Sequence, residues 1–218
     1  MTKKQAAAAR TKVGITLDRV VRAAFDVLQR DGIAKLSTRA IAAELDVRMN
    51  TVMWHIRTKD RLLDLMAESI MGEVDLENLH GGWREQVAEL LGRLRQAMLG
   101  HRDGALIVAG TFPVEPNTLA FSDRLVTVLF DGCPTRESAA WTSWSLFYFT
   151  LGLVQEEQAT PTALHDRLRE SVNEQNFPGL HSVLEDYISI DYNERFNFGI
   201  EQILQSAPTT KPRSRSES

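Results

Sequence analysis

Apolar residues recur at intervals of three and four through most of the chain, and the first such stripe opens after Thr16. Val20, Val21, Ala24, Phe25 and Leu28 share one helical face. Thr16 is placed to cap that helix, Ile15 to staple against Val20, and Asp31-Gly32 to end it. Ser37 is the next capping position and opens a short helix carrying Ile41, Ala42 and Leu45. The run breaks at Asp46-Val47, and a third helix is expected from about Met49 to Ile56, with Val52, Ile56 and the ring of Trp54 on its apolar side. Two short amphipathic helices joined by a tight turn form a helix-turn-helix pattern, an arrangement suited to a DNA groove.

The remaining pattern is also helical. Leu62, Leu63, Leu65, Met66, Ile70 and Met71 predict a fourth helix that begins near Thr58 or Lys59 and fades around Gly72. Trp83, Val87, Leu90, Leu91, Leu94 and Met98 predict a long one ending at Gly100. Leu119, Leu125, Val126 and Leu129 predict another before Gly132, with Gly110-Thr111-Phe112-Pro113 breaking the run between them. From Trp141 to Val154 the chain is apolar nearly all round, which predicts burial on several sides. Weaker spacing follows from Leu164 to Val172, then Pro178-Gly179, a short helix from Leu184 to Ile188, and a last helix opened by Asp191 with Glu194 three residues on. That helix carries Phe196, Ile200, Ile203 and Leu204. With no repeat and no strand pair, the expected fold is all-α: residues 1–14 a flexible basic arm, 15–61 a three-helix DNA-binding head, 62–206 a larger helical domain, and 207–218 a disordered tail.

Charge sharpens this division. The net charge of −4 hides an asymmetry: residues 1–61 hold 13 Lys and Arg against 6 Asp and Glu, and residues 62–218 hold 12 against 23. Phosphate attraction needs positive charge only where contact occurs, so a basic head on an acidic body fits double-stranded DNA as a partner. No apolar run approaches the roughly 18 residues of a membrane helix. The segment MTKKQAAAARTK lacks the apolar core of a secretory signal, and Cys133 is the single cysteine, so a cytoplasmic protein without a membrane partner is expected.

LSTRAIAAELDV followed by MNTVMWHIRTKDRLLDLM resembles the DNA-binding head of the tetracycline-repressor family, with Thr38, Arg39, Thr51, Trp54, His55, Lys59, Leu62 and Leu63 in the family's pattern. Two departures stand out. Asp46 occupies a turn position where many relatives have Gly, and Asp tolerates the left-handed conformation better than most residues. Met53 stands where relatives often carry a Tyr. In the body, HRDGALIVAGTFP and FTLGLVQEEQ resemble the family's drug-pocket segments. The resemblance implies a pocket that includes Thr111 and Pro113, with Glu156 matching an acid that reaches in from a partner subunit. Val108 stands where a magnesium-binding His is expected. Asp75, Leu90, Leu94 and Arg124 replace the His, Asn, Phe and Gln that would grip the drug's polar ring. An isopropyl group is no ligand for magnesium, so no metal or cofactor is expected and the effector is expected to differ from magnesium-tetracycline.

In such a head the third helix lies in the major groove. Asn50 can pair with adenine, Arg39 with guanine or a phosphate, and Thr51 or Met53 can touch a thymine methyl, while His55 and Lys59 suit phosphate. Thr38, Met49 and Trp54 complete the candidate DNA-binding set, although a ring the size of Trp54 is first expected in the core. A small, mostly hydrophobic effector with one acceptor or acidic group is expected among Leu90, Leu94, Met98, Val108, Thr111, Phe112, Pro113, Arg124, Phe147 and Glu156. A homodimer is expected, because one short recognition helix gives few base contacts. Its surfaces are expected on the helix through Trp141, Trp144, Tyr148 and Gly152 and on the last helix through Phe196 and Ile200. These features together predict a ligand-released dimeric repressor. A helical interaction adaptor would explain the bundle but not the basic head. An enzyme has little support: the His residues at 55, 80, 101, 165 and 181 form no catalytic spacing, and His101-Arg102-Asp103-Gly104 reads as a cap and turn.

Overall fold

The computed structural model describes residues 14–111, 114–159, 162–189 and 191–206, and these are helical without a strand. The chain divides into two compact units after Leu62. Among the described residues no helix is long and apolar enough to cross a membrane.

The first unit is built by local signals. In α1 (Leu17–Asp31) the Thr16 hydroxyl accepts from the Arg19 amide at 3.3 Å, and Gly32, at φ 78°, ends the helix by donating to the Leu28 carbonyl. A 3-10 turn (Ile33–Lys35) leads to α2 (Thr38–Glu44), where the Ser37 hydroxyl accepts from the Ala40 amide at 3.2 Å. Asp46, at φ 52°, lets α2 turn: its amide donates to the Ala43 carbonyl and that of Val47 to the Ala42 carbonyl, the paired closure of a Schellman motif. α3 runs Met49–Ile56. Val20, Ala24, Val27 and Leu28 of α1 meet Ile41 and Ala42 of α2 and Val52 and Ile56 of α3 in a fully buried core. Burying each larger aliphatic side chain contributes about 1.5–3 kcal/mol.

Trp54 corrects the sequence expectation: it is 79% exposed. Two residues along a helix turn the side chain about 200°, so once Val52 and Ile56 face inward Trp54 faces out. An eight-residue helix has no second buried stripe.

α4 (Lys59–Met71) spans the division between the units, and the second unit continues through α5 (Trp83–Leu99), α6 (Gly104–Ala109), α7 (Pro116–Leu129), α8 (Arg136–Ala159), α9 (Thr162–Ser171), α10 (Pro178–Ser182), α11 (Leu184–Tyr187) and α12 (Tyr192–Ser206). α10 was hidden from the sequence pattern because Pro178-Gly179 reads as a break, yet Pro suits the first position of a helix. α8 is the spine, packing on α5, α6, α7 and α12. Its closest partner is α12: the Phe149 ring lies against Gly199 and stacks on Phe196 at 6.4 Å. Phe196 and Ile200, expected on an outer dimer surface, are therefore buried within their own chain, and the exposed aromatic of α12 is Phe198. Leu119, expected in the apolar stripe of α7, is exposed, and Phe121 takes the inward place.

Side chains fix the connections. Arg93 donates to the carbonyls of Asp75, Glu77 and Asn78 and pairs with Glu89 at 2.6 Å, holding the loop between α4 and α5. The His80 amide, and after it Arg93, hold the Glu89 carboxyl below its ordinary range against the opposing effect of burial. Glu68 of α4 accepts from the amides of Asn117 and Thr118, capping α7. His101 to Gly104 is a turn, as its composition predicts: Asp103 is left-handed at φ 55°, and the Gln158 side chain donates to the carbonyls of Met98 and His101 and accepts from the Ala105 amide.

Two substitutions test these local arguments. A Cβ at Gly199 would overlap the Phe149 ring, so Gly199→Ala is expected to cost about 1–3 kcal/mol in urea unfolding, with partial recovery when Phe149→Leu is added. Asp46→Gly is expected to stabilise the chain by up to about 1 kcal/mol, because Gly adopts the left-handed turn without the steric penalty.

Candidate functional site

α3 presents Met49, Asn50, Met53 and Trp54 outward, while Val52 and Ile56 anchor it from behind. Asn50 is exposed, Thr51, Met53 and His55 are half-buried, and the Trp54 and His55 rings meet edge to face at 4.8 Å. Beside them Leu17, Met53, Trp54, His55 and Arg57 line an open hollow of about 520 Å³. Thr38 and an exposed Arg39 occupy the first turn of α2, which packs on α3, and Lys59, exposed, opens α4. Arg48 and Arg57, both exposed, bracket α3 at its two ends, and Arg57 holds φ 62°. These two arginines were missed from sequence, although their signal is simple: a basic residue on each side of an outward-facing helix. The surface combines an amide, apolar groups and flanking cations, the mixture that reads base edges between phosphate contacts.

In the body, Leu90, Leu94, Met98, Val108, Arg124 and Phe147 fall on α5, α6, α7 and α8, where α8 packs on the other three and α5 packs on α6 and α7. Leu90, Leu94 and Met98 are wholly enclosed and Val108 is 5% exposed. Phe147 is half-buried, its ring 6.4 Å from Phe121 and 6.3 Å from Trp144. The Arg124 Nε donates to the Leu76 carbonyl at 3.2 Å, and the Thr111 hydroxyl donates to the Val108 carbonyl at 3.0 Å. Phe112 and Pro113 lie outside the described residues. Asp75 is exposed and engaged by Arg93.

Glu156 is placed elsewhere. It forms a two-pronged pair with Arg195 at 2.7 and 2.8 Å, and this hydrogen bonding raises the Arg195 pKa against the opposing effect of burial. Both residues line a cleft of about 490 Å³ with His165, Leu168, Asp186, Tyr187, Ile188 and Ser189. Along α8, Trp141, Trp144 and Tyr148 form an exposed aromatic row in which Trp144 and Tyr148 stack at 5.2 Å.

Comparison with known proteins places this geometry. Residues 77–206 match the tetracyclin repressor-like C-terminal domain. A tetracycline repressor protein of class G from Vibrio anguillarum is 30% identical over 190 residues, covering 85% of this chain and 90% of that protein. The crystal structure of a possible TetR family transcriptional regulator from Streptomyces coelicolor A3(2) is 35% identical with a TM-score of 0.80, covering 87% of this chain and 97% of that one. The Streptomyces coelicolor TetR family protein ActR, solved in complex with actinorhodin, is 30% identical with a TM-score of 0.79, covering 88% of this chain and 96% of that one.

The two faces of α3 separate experimentally. Ile56→Ala is expected to lower stability by about 2–5 kcal/mol in urea unfolding, as removal of a buried branched side chain does. Trp54→Ala, on the exposed face, is expected to change it by no more than about 0.5 kcal/mol.

Proposed function

The chain belongs to the tetracycline-repressor family of transcriptional regulators, and from that premise we propose that it is a cytoplasmic, dimeric repressor released from its operator by a small, mostly hydrophobic molecule other than magnesium-tetracycline. The family is non-enzymatic. The observation that carries the reading is the outward face of α3, where Asn50 and Trp54 are exposed and Met53 is half-buried between Arg48 and Arg57. Asn50 suits adenine, Met53 and Thr51 suit a thymine methyl, and Arg39, His55 and Lys59 suit phosphate or guanine.

One such helix reads few bases, and specificity then requires two heads on a two-fold symmetric site with half-sites about 34–36 Å apart. The exposed row Trp141, Trp144 and Tyr148 on α8, with Phe198 on α12, supports a bundle made from these helices and their copies, because water-exposed aromatic rows of this kind favour association. The enclosed apolar set Leu90, Leu94, Met98 and Val108 supports an effector site in the body, with Thr111, Phe112, Pro113, Arg124, Phe147 and Glu156 as further candidates. Val108 offers no metal ligand. The relative solved with actinorhodin supports a small-molecule effector outside the tetracyclines. An effector that binds one spacing of the two heads better than the other shifts the population away from the DNA-competent form.

Selection of duplex DNA from a random pool is expected to recover a two-fold symmetric site. Asn50→Ala is expected to cost about 1–3 kcal/mol of discrimination at one base position, whereas Lys59→Ala weakens all sequences alike and lowers the salt dependence of binding. Recovery of no site above background would sink the DNA-binding reading. For the dimer, Trp144→Glu with Phe198→Glu is expected to shift sedimentation to the monomer, and an unchanged sedimentation coefficient would remove that face from the interface.

A further inference from the structure

Thr150 of α8 is fully buried and its hydroxyl has no hydrogen-bond partner. Hydroxyls on helices usually turn back to a carbonyl in the preceding turn, and others in this chain do so: Ser143 to Ala140 at 2.8 Å, Ser145 to Trp141 at 2.9 Å and Ser122 to Thr118 at 2.9 Å. Ser143 and Ser145 belong to α8 itself. An enclosed hydroxyl without a partner is unfavourable, and valine would fill the same volume without that cost, so folding alone gives no reason for a threonine here.

Its position on α8 is informative. Leu146 and Val154, four residues to either side, are wholly enclosed, and Glu157, seven residues on, reaches Arg95 of α5 at 3.0 and 2.9 Å. Helical spacing therefore puts Thr150 on the face of α8 that meets α5, the helix of Leu90, Leu94 and Met98. The other polar groups of that face are engaged: Arg95 by Glu157 and Asn193, Gln158 by the turn from Met98 to Ala105. The Thr150 hydroxyl is by contrast a neutral group without a partner, able to donate or accept.

We propose that the Thr150 hydroxyl is the polar anchor of the effector site, taking a neutral oxygen, ketone or phenol, of an otherwise apolar molecule. This rests on the ligand-responsive reading above and adds to it the chemistry of the contact. A charged amine or carboxylate would lose its hydration beside a neutral hydroxyl, because Arg95 and Glu157 on the same face are already paired with each other.

The test requires neither operator nor effector, so it can fail independently of the DNA-binding reading. In a Cys133→Ala background, Thr150→Cys carries the chain's single thiol, and methyl methanethiosulfonate is the probe, followed by intact mass. Under native conditions labelling is expected at least roughly tenfold faster than that of buried Cys133 in the natural chain, which reacts through opening of the fold. 9-Fluorenone and 1-naphthol are expected to slow it, and 1-naphthylmethylammonium to leave it unchanged. Labelling no faster than that of Cys133 overturns the site, and protection by the ammonium alone, or by none of the three, overturns the ligand class. Thr150→Val supplies a second measurement should the cysteine variant fail to fold. Its Tm without ligand is expected to rise by about 2–4 °C. A fall of that size would mean that the hydroxyl is already bonded in the free protein, and the proposal would be wrong.

Discussion

The body of this protein depends on one buried cation. Arg95 is 6% exposed, and its guanidinium is met by both carboxylate oxygens of Glu157, by the Asn193 amide oxygen at 2.7 Å and by the Phe196 ring at 5.4 Å. Those contacts come from α8, from the first turn of α12 and from its interior, so one side chain of α5 ties three helices together. A charge in this position is tolerated only with such partners: removing one partner of a buried pair typically costs about 3–5 kcal/mol, because the other charge stays behind uncompensated. The pair fixes how α5 lies against α8 and α12, which an apolar contact would do less strictly.

α8 carries the second constraint. Its sequence is apolar nearly all round, which on its own predicts complete burial, yet a single chain can cover only part of its circumference. Phe149 is taken by Gly199, Phe147 by Phe121, and Leu146, Thr150 and Val154 by the interior, while Trp141, Trp144 and Tyr148 are left in water. The same all-round pattern thus describes two environments, an intrachain core and a face left in water. Hydropathy does not tell them apart. Aromatic side chains with polar edges are the ones left outside, whereas the aliphatic ones are inside.

Legibility from sequence follows the range of the interaction. In the head, Thr16, Ser37, Gly32 and Asp46 act on residues within one turn of themselves, and the helix limits they imply are those observed. Trp54 escaped because its size argued for burial while its position, two residues from Val52, argued against it, and position prevailed. The sequence pattern points Phe196 and Ile200 outward for a similar reason. Their helix has apolar residues on both sides, and only the close approach of Phe149 to Gly199 decides which side is covered. Arg95 and Glu157 stand 62 residues apart, and nothing local in either segment announces the pair. The Glu156 and Arg195 pair, 39 residues apart, was equally hidden, so the cleft beside it could not be foreseen.

The polar contacts of the body also determine where it can respond to a ligand. The loop after α4 is held by Arg93, the start of α7 by Glu68, and the turn before α6 by Gln158. Each restraint joins elements distant in sequence, and breaking any of them leaves carbonyls or amides to be satisfied again. α6 differs. It has six residues, it is bounded by the left-handed Asp103 on one side and by Gly110 on the other, and its start is bonded to α8 through Gln158. A short helix gains little from its own hydrogen-bond ladder, so its conformation is set by what packs against Ala105, Ile107 and Val108. The conformation of α6 is thus set by apolar packing, whereas α5 is held against α8 by the Arg95 tie. The start of α6 is bonded to α8 through Gln158. The fold thereby combines a frame tied by long-range polar contacts with short elements of low intrinsic stability, α6 among them, and elements of that kind are the ones a ligand-driven population shift can move.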